Sequence, residues 1–300
     1  MSTYHIPVLL DESLELLAIK PDGVYVDLTF GGGGHSSHIV QKLGKNGHLY
    51  SFDQDADAEA NAFSDERFTF VRSNFRFMRG HLRALGVEAV DGVFADLGVS
   101  SHHFDATERG FSFRGDAPLD MRMNRRGGRT AADVVNNYDV AQLTNILRNY
   151  GEIDGAGRVA KCIESARSGA PLTTTLELVE AVKRVTPPRD ESKFLSKLFQ
   201  AIRIEVNGEM EALQMALEQS LRMLRPGGRL VIMSYHSLED RMVKNFMRSG
   251  SIGGDVEKDF FGRTSTPFEI ITRKVVVPTD EEIARNPRSR SAKLRAARKL

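Results

Sequence analysis

Residues 24–38 read VYVDLTFGGGGHSSH, and this stretch constrains the fold more than any other. Val24, Val26 and Leu28 alternate with smaller or polar residues, the period of a short strand, and Asp27 stands near its carboxyl end. Gly31 to Gly34 follow, and the residues from His35 to Leu43 can start a helix. A strand, a glycine turn and a helix start make a place where backbone N–H groups approach a ligand closely, because no Cβ intervenes. The pattern therefore points to a nucleotide-like ligand rather than to a surface loop.

The next segments extend this unit. His48 to Asp53 reads as a second strand ending on an acid. Asp53 lies about twenty residues past the glycines, where a βαβ nucleotide fold places a carboxylate for ribose hydroxyls. Phe68 to Val71 is a third strand, and Ala89 to Leu97 a fourth that ends in Asp96. In a doubly wound parallel sheet ligands gather at the carboxyl ends of the strands, so Asp27, Asp53 and Asp96 are expected to converge on one crevice. Before this unit, residues 8–20 read as an amphipathic helix closed by Pro21-Asp22-Gly23.

From about Phe104 to Asn207 strand signals nearly vanish. Thr130-Ala131-Ala132-Asp133 and Thr174-Thr175-Leu176-Glu177 have capping-box spacing, and Val140, Leu143, Ile146 and Leu147 form an apolar stripe, as do Leu176, Val179 and Val182. A further helix begins near Glu191. The α/β pattern resumes at Leu224-Arg225-Pro226-Gly227-Gly228, a turn leading into the strand Arg229 to Ser234, and Phe268 to Pro278 reads as a closing strand. The expected division is a first α/β part at 1–105, a helical insert at 106–207, a second α/β part at 208–284 and a basic tail at 285–300.

Charge separates the tail from the rest. Of 41 basic residues, seven fall between Arg285 and Leu300 with no acid among them, leaving 34 against 40 acids elsewhere. A second basic cluster spans Arg109 to Arg129, and two such segments on an acidic body suggest a polyanionic partner. The single cysteine, Cys162, allows neither an internal disulfide nor a cysteine metal site, and a reducing, cytoplasmic setting is expected. The start of the chain lacks a signal-peptide pattern, and no run approaches the ~18 apolar residues of a membrane span.

The loop distinguishes between cofactor classes. A dinucleotide loop needs G-x-G-x-x-G, whereas this one reads D-L-T-F-G-G-G-G-H with Thr29 where the first glycine would stand. It resembles a variant of the D-x-G-x-G loop of class I S-adenosylmethionine-dependent methyltransferases, and the Leu-x-Pro-Gly-Gly turn before the fifth strand is similar to that class. Beyond the class, DLTFGGGGHS, FADLGVSS, ERGFSF, PLDMRMN, FQAIRIEVN, PGGRLVIMSYHSLEDR and NPRSRSAKLR look like the signature segments of the bacterial small-subunit ribosomal RNA (cytosine-N4) methyltransferases, the RsmH or MraW family. These segments run from residue 27 to 295.

The resemblance implies a Rossmann-like class I fold with an inserted helical subdomain, S-adenosyl-L-methionine as cofactor, and N4-methylation of a cytosine in the decoding region of 16S ribosomal RNA, presented in a small subunit or its precursor. It implies a cofactor site at Gly33, Gly34, His35, Asp53, Phe75, Asp96 and His103. The pair His102-His103 has no third ligand at zinc-like spacing, so no metal is expected. Cytosine N4 is a poor nucleophile, and acceptors on its N–H groups would localise its lone pair and stabilise developing positive charge. The expected acceptors are Asp96 and the Leu97 carbonyl, although this segment lacks the prolines and the aromatic of the corresponding DNA amino-methyltransferase motif. Phe104, Phe111 or Tyr235 would stack on a base that has left its stack. Arg109, Arg114 and Arg122 in one cluster, with Arg288, Arg290, Lys293 and Arg295 in the other, are expected to hold RNA phosphates. Methylation of DNA cytosine or of a protein on the same fold, and a NAD-dependent oxidoreductase, are the alternatives. Whether the chain is a monomer or a homodimer is left open.

Overall fold

The computed structural model describes residues 7–98, 107–255 and 266–300. The chain forms two compact units, one of Met1–Gly98 with Met210–Leu300 and one of Val99–Glu209.

The first unit is built on a seven-stranded sheet in the order β3-β2-β1-β4-β5-β7-β6. β1 (Val24–Asp27), β2 (His48–Asp53), β3 (Phe68–Arg72), β4 (Val90–Asp96) and β5 (Leu224–Ser234) run parallel. The helices alternating with them are α1 (Leu10–Leu17), α2 (Gly34–Gln41), α3 (Ala56–Glu59) and α4 (Met78–Ala84). Central strands buried on both faces read as apolar runs, and Val93, Phe94 and Ala95 in β4 or Leu230 to Met233 in β5 are all 1% exposed or less. The parallel order, reversing between β1 and β4, is the doubly wound class I arrangement that the resemblance implies.

The basic tail is not a tail. Lys293–Lys299 forms β7, which lies inside the sheet, antiparallel to both β5 and β6 (Phe268–Ile270). Leu294, Ala296 and Ala297 are fully buried, so the segment from Arg285 belongs to the α/β unit rather than to a separate appendage. Its charges find partners. Arg295 forms a two-point ion pair with Asp240 at 2.6 and 3.2 Å, Lys293 reaches the same carboxylate at 3.6 Å, and Lys299 donates to the carbonyls of Leu221 and Leu224. The expected closing strand over 268–278 shrinks to the three residues of β6, because β7 takes the place beside β5; Val276 keeps a single bridge to Leu294.

The second unit is helical: α5 (Ala131–Asn137), α6 (Val140–Asn149), α7 (Ala156–Arg167), α8 (Thr175–Val182) and α9 (Glu191–Asn207). Both expected capping boxes form, at Thr130/Asp133 and Thr174/Glu177, and a third sits at Asp139/Gln142. Leu143, Ile146 and Leu147 are buried as their spacing requires. Leu176 instead faces water at 45% exposure, while Leu178 and Val182 fill the core. α10 (Glu209–Met223) leads back into the sheet, and α11 (Ser237–Ser249) and α12 (Asp280–Arg285) complete the helices.

Candidate active site

The sheet register sets the site. β1 ends at Asp27 beside Ser51 of β2 on one flank and Phe94 of β4 on the other, and β4 ends at Asp96 opposite Met233 of β5. The strand ends therefore present Asp53, Asp27 and Asp96 in spatial order along one edge.

The glycine turn is fastened to these carboxylates. Gly31 donates its N–H to Asp53 Oδ2 at 2.8 Å. Gly33 caps α2 with φ +75, and a Cβ there would stand 2.9 Å from the Phe30 ring, so this position demands glycine twice over. Gly32 is different: nothing lies within 4 Å of where its Cβ would stand, and its φ is ordinary. The protein itself does not need a glycine at 32, whereas a ligand laid against the loop would. Gly34 opens α2, an eight-residue helix whose first turn carries His35.

Asp27 is 1% exposed and fully engaged by the loop. Ser36 donates to its Oδ2 at 2.6 Å and the Thr29 N–H to Oδ1 at 3.0 Å. Burial raises its carboxyl to about 6 against these donors. It is a brace between β1 and α2. Thr29, the departure from the class pattern, links the strand ends: its hydroxyl accepts the Asp96 N–H at 2.7 Å. A glycine there could not make that bond.

Asp96 retains access to solvent, with a quarter of its side chain exposed. Tyr235 donates its hydroxyl to Asp96 Oδ1 at 2.8 Å, and His35 Nδ1 stands 3.9 Å from Oδ2. Burial raises the Asp96 carboxyl to about 7, the Tyr235 bond pulls it down, and the Asp27 and Glu239 charges push it up. Burial, with Asp96 close by, raises the Tyr235 phenol well above its usual value, so it remains a donor. Glu239 holds Tyr235 in place, accepting its N–H at 3.0 Å, and lies 3.2 Å from His236 Nε2. His35 is 7% exposed, with Nε2 at 3.0 Å from the Val8 carbonyl, and burial lowers it to about 4, so it stays neutral. The Leu97 N–H donates to the Met233 carbonyl at 2.9 Å, which prolongs the ladder one residue past Asp96.

Phe75 follows β3 in a short 3₁₀ turn, half-buried, one strand beyond Asp53. Asn74 caps that turn and reaches Gln54, which follows Asp53, at 2.8 Å. His102, His103 and Phe104 lie outside the described residues.

Two expectations fail in the helical unit. Phe111 is 5% exposed within its core and is not available to stack on a base. Arg109 is 2% exposed and donates to the carbonyls of Arg122 and Met123 at 2.9 and 3.1 Å. It cannot face a phosphate in solvent. Its guanidinium, with Asn207 bonded to Met121 and Met123, clamps the PLDMRMN segment, in which Met121 takes φ 58. Arg122 forms a two-point ion pair with Asp120 at 2.7 and 2.9 Å. Arg114 is exposed, and so are Arg288 and Arg290 in the first unit.

The pattern of the MraW methylase family matches residues 2–300. The chain belongs to that family. Relatives named "Ribosomal RNA small subunit methyltransferase H" include that of Parabacteroides distasonis, 57% identical over 100% of this chain and 98% of its own. Those of Bacteroides thetaiotaomicron, at 56% over 99% and 98%, and Flavobacterium johnsoniae, at 54% over 99% and 98%, are equally complete matches. A methylase of this family needs a methyl donor, and the site fits S-adenosylmethionine. Gly32 leaves the loop face open, Asp53 stands beside the loop at the end of β2, and Asp96 at the end of β4 combines a raised carboxyl with solvent access.

Proposed function

We propose that this MraW-family methylase transfers a methyl group from S-adenosylmethionine to the exocyclic N4 of a cytosine in 16S ribosomal RNA, presented by a small ribosomal subunit or its precursor. The observation that carries this reading is Asp96: a solvent-reachable carboxylate at the end of β4, oriented by Tyr235 and raised to about 7. The full-length relatives supply the class of RNA.

The bound cofactor would supply a methyl group already activated by its sulfonium. The chain's task is then to hold the donor and present the amine in line with it. Gly33, Gly34 and His35 would form the loop against which the donor lies, Asp53 would accept from its ribose, and Phe75 would pack on its adenine. Asp96 Oδ2 faces the incoming amine, since Oδ1 is taken by Tyr235. Oδ2 and the Leu97 carbonyl accept from the two N4 hydrogens, which favours a pyramidal nitrogen with a localised lone pair and stabilises positive charge on it. As the nitrogen becomes cationic it sheds one proton, and a carboxylate near 7 is matched to receive it at neutral pH. Tyr235 acts through Asp96 as a positioning residue, a role distinct from the base stacking its sequence position suggests.

Phosphate contacts are assigned to the exposed Arg114, Arg288 and Arg290, and to Lys293, whose side chain is 40% exposed. Among the described residues no helix is long and apolar enough to cross a membrane; the single cysteine and an RNA substrate together favour the cytoplasm. The test is nucleoside mass spectrometry of 16S ribosomal RNA from cells lacking the protein. N4-methylcytidine should be absent and return with the wild-type gene; its undiminished presence would overturn the reading.

A further inference from the structure

In the α/β unit, α4, the turn before it and α10 line an open groove of about 420 Å³. Four arginines line it, Arg76, Arg79, Arg83 and Arg222, against a single acid, Glu218. Arg76 is 3.5 Å from Glu211 and Arg83 4.0 Å from Glu88, while no carboxylate lies within 4 Å of Arg79 or Arg222 among the described residues. Like charges gathered in a groove repel one another, so an arrangement of this kind is favoured when an anion is shared among them.

Two further features mark the groove as built for a ligand. Gly80 lies within α4, where glycine is less favourable than alanine, yet its φ is ordinary and nothing stands within 4 Å of a Cβ placed there. Neither backbone conformation nor packing explains the glycine; close approach of a ligand would. Phe77, at the groove's edge, is 54% exposed. It belongs to the same 3₁₀ turn as Phe75, and successive residues of such a turn project about 120° apart. Phe77 lines the groove, whereas Phe75 does not.

We propose that this groove binds a stretch of ribosomal RNA flanking the target cytosine, with Arg79 and Arg222 on phosphates and Phe77 stacked on an unpaired base. Arginine forks match phosphate oxygens, and an aromatic beside a basic groove is the pattern of single-strand binding. An acidic protein segment would use the charges but would have less use for the exposed ring. α4 follows Phe75 without a break, so the groove's first residues, Arg76 and Phe77, adjoin the turn at the carboxyl edge of the sheet.

This inference rests on the RNA reading above, and the test separates the two. Binding of the full-length protein to protein-free 16S ribosomal RNA, and to small subunits from cells lacking the methylase, is measured across salt concentrations for wild type and for Arg79→Gln/Arg222→Gln. Wild type that binds neither RNA nor subunit would remove the RNA reading itself. The double variant should bind both probes at least tenfold more weakly, with a salt slope shallower by about 1–2. Its affinity for S-adenosylmethionine and its melting temperature should equal those of the wild type. Gly80→Ala should raise the melting temperature and still weaken RNA binding. Unchanged affinity and slope in the double variant would overturn the proposal, as would weakened binding to subunits with binding to protein-free RNA intact, which would assign the groove to a ribosomal protein.

Discussion

Asp27 and Asp96 end neighbouring parallel strands, share a residue type, and both have carboxyls raised by burial, yet they have opposite fates. Asp27 is 1% exposed and takes donors from Ser36 and Thr29, so its acceptor capacity is spent inside the protein. Asp96 takes one side-chain hydroxyl, from Tyr235, and keeps a quarter of its side chain in solvent. What separates a brace from a reacting group here is the number of internal donors, since position and residue type are the same. The arginines show the same contrast: Arg109 is consumed by two backbone carbonyls, whereas Arg290 stays exposed.

The sharpest break of this comparison is alanine at each aspartate. Asp96→Ala should lower turnover by at least about 100-fold, the scale of a lost proton acceptor, without a comparable loss of folding stability. Asp27→Ala should do the reverse, costing about 1–3 kcal/mol in urea unfolding because buried donors lose their acceptor. A stability loss at Asp96 larger than at Asp27 would invert the assignment. The pH dependence carries a sign. Asp27 titrates near 6 in the folded protein against an ordinary 3.8, so the native state holds more protons than the unfolded one between those values. Stability contributed by this group is therefore full below about pH 4 and declines as pH rises to about 6. Asp27→Ala should flatten that decline, measured by urea midpoints across the window.

Arg109→Ala should cost about 2–3 kcal/mol by leaving two carbonyls without a donor, with Arg290→Ala within about 0.5 kcal/mol of wild type but shallower in its RNA salt slope by about 1. Equal stability of the two variants would erase the distinction between buried and available arginine. Tyr235→Phe is the mildest change. The hydroxyl lowers the Asp96 pKa, so its loss should move the acid limb of the turnover profile upward by about one unit while the fold is kept. An unmoved limb would separate Tyr235 from the chemistry.

Much of this architecture is written locally. The strand β1, the acid at the end of β2 and the capping boxes of the helical unit each depend on residues within a few positions of one another, and all appear, although β1 does not alternate: Tyr25, Val26 and Asp27 are all 1% exposed, as in a strand covered on both faces. What escaped was set by long-range pairing. β7 reads KLRAARK, and its buried residues are a leucine and alanines among four basic side chains, so charge hides a central strand. Asp240, which pairs with Lys293 and Arg295, is more than fifty residues away. The Tyr235 to Asp96 bond spans 139 residues, and no local pattern announces it. Thr29 did leave a signal, because it stands where the class has glycine; its hydroxyl bond to the Asp96 N–H explains the exchange.

The central claim is that Asp96 acts on the amine and not only on the cofactor. The direct test is Asp96→Asn, with S-adenosylmethionine affinity measured by calorimetry and turnover measured at saturating cofactor on the same preparation. The account predicts affinity within a few-fold of wild type and turnover reduced by at least about 100-fold. Weakened affinity with turnover restored at saturation would show that Asp96 only holds the cofactor, and would contradict the account.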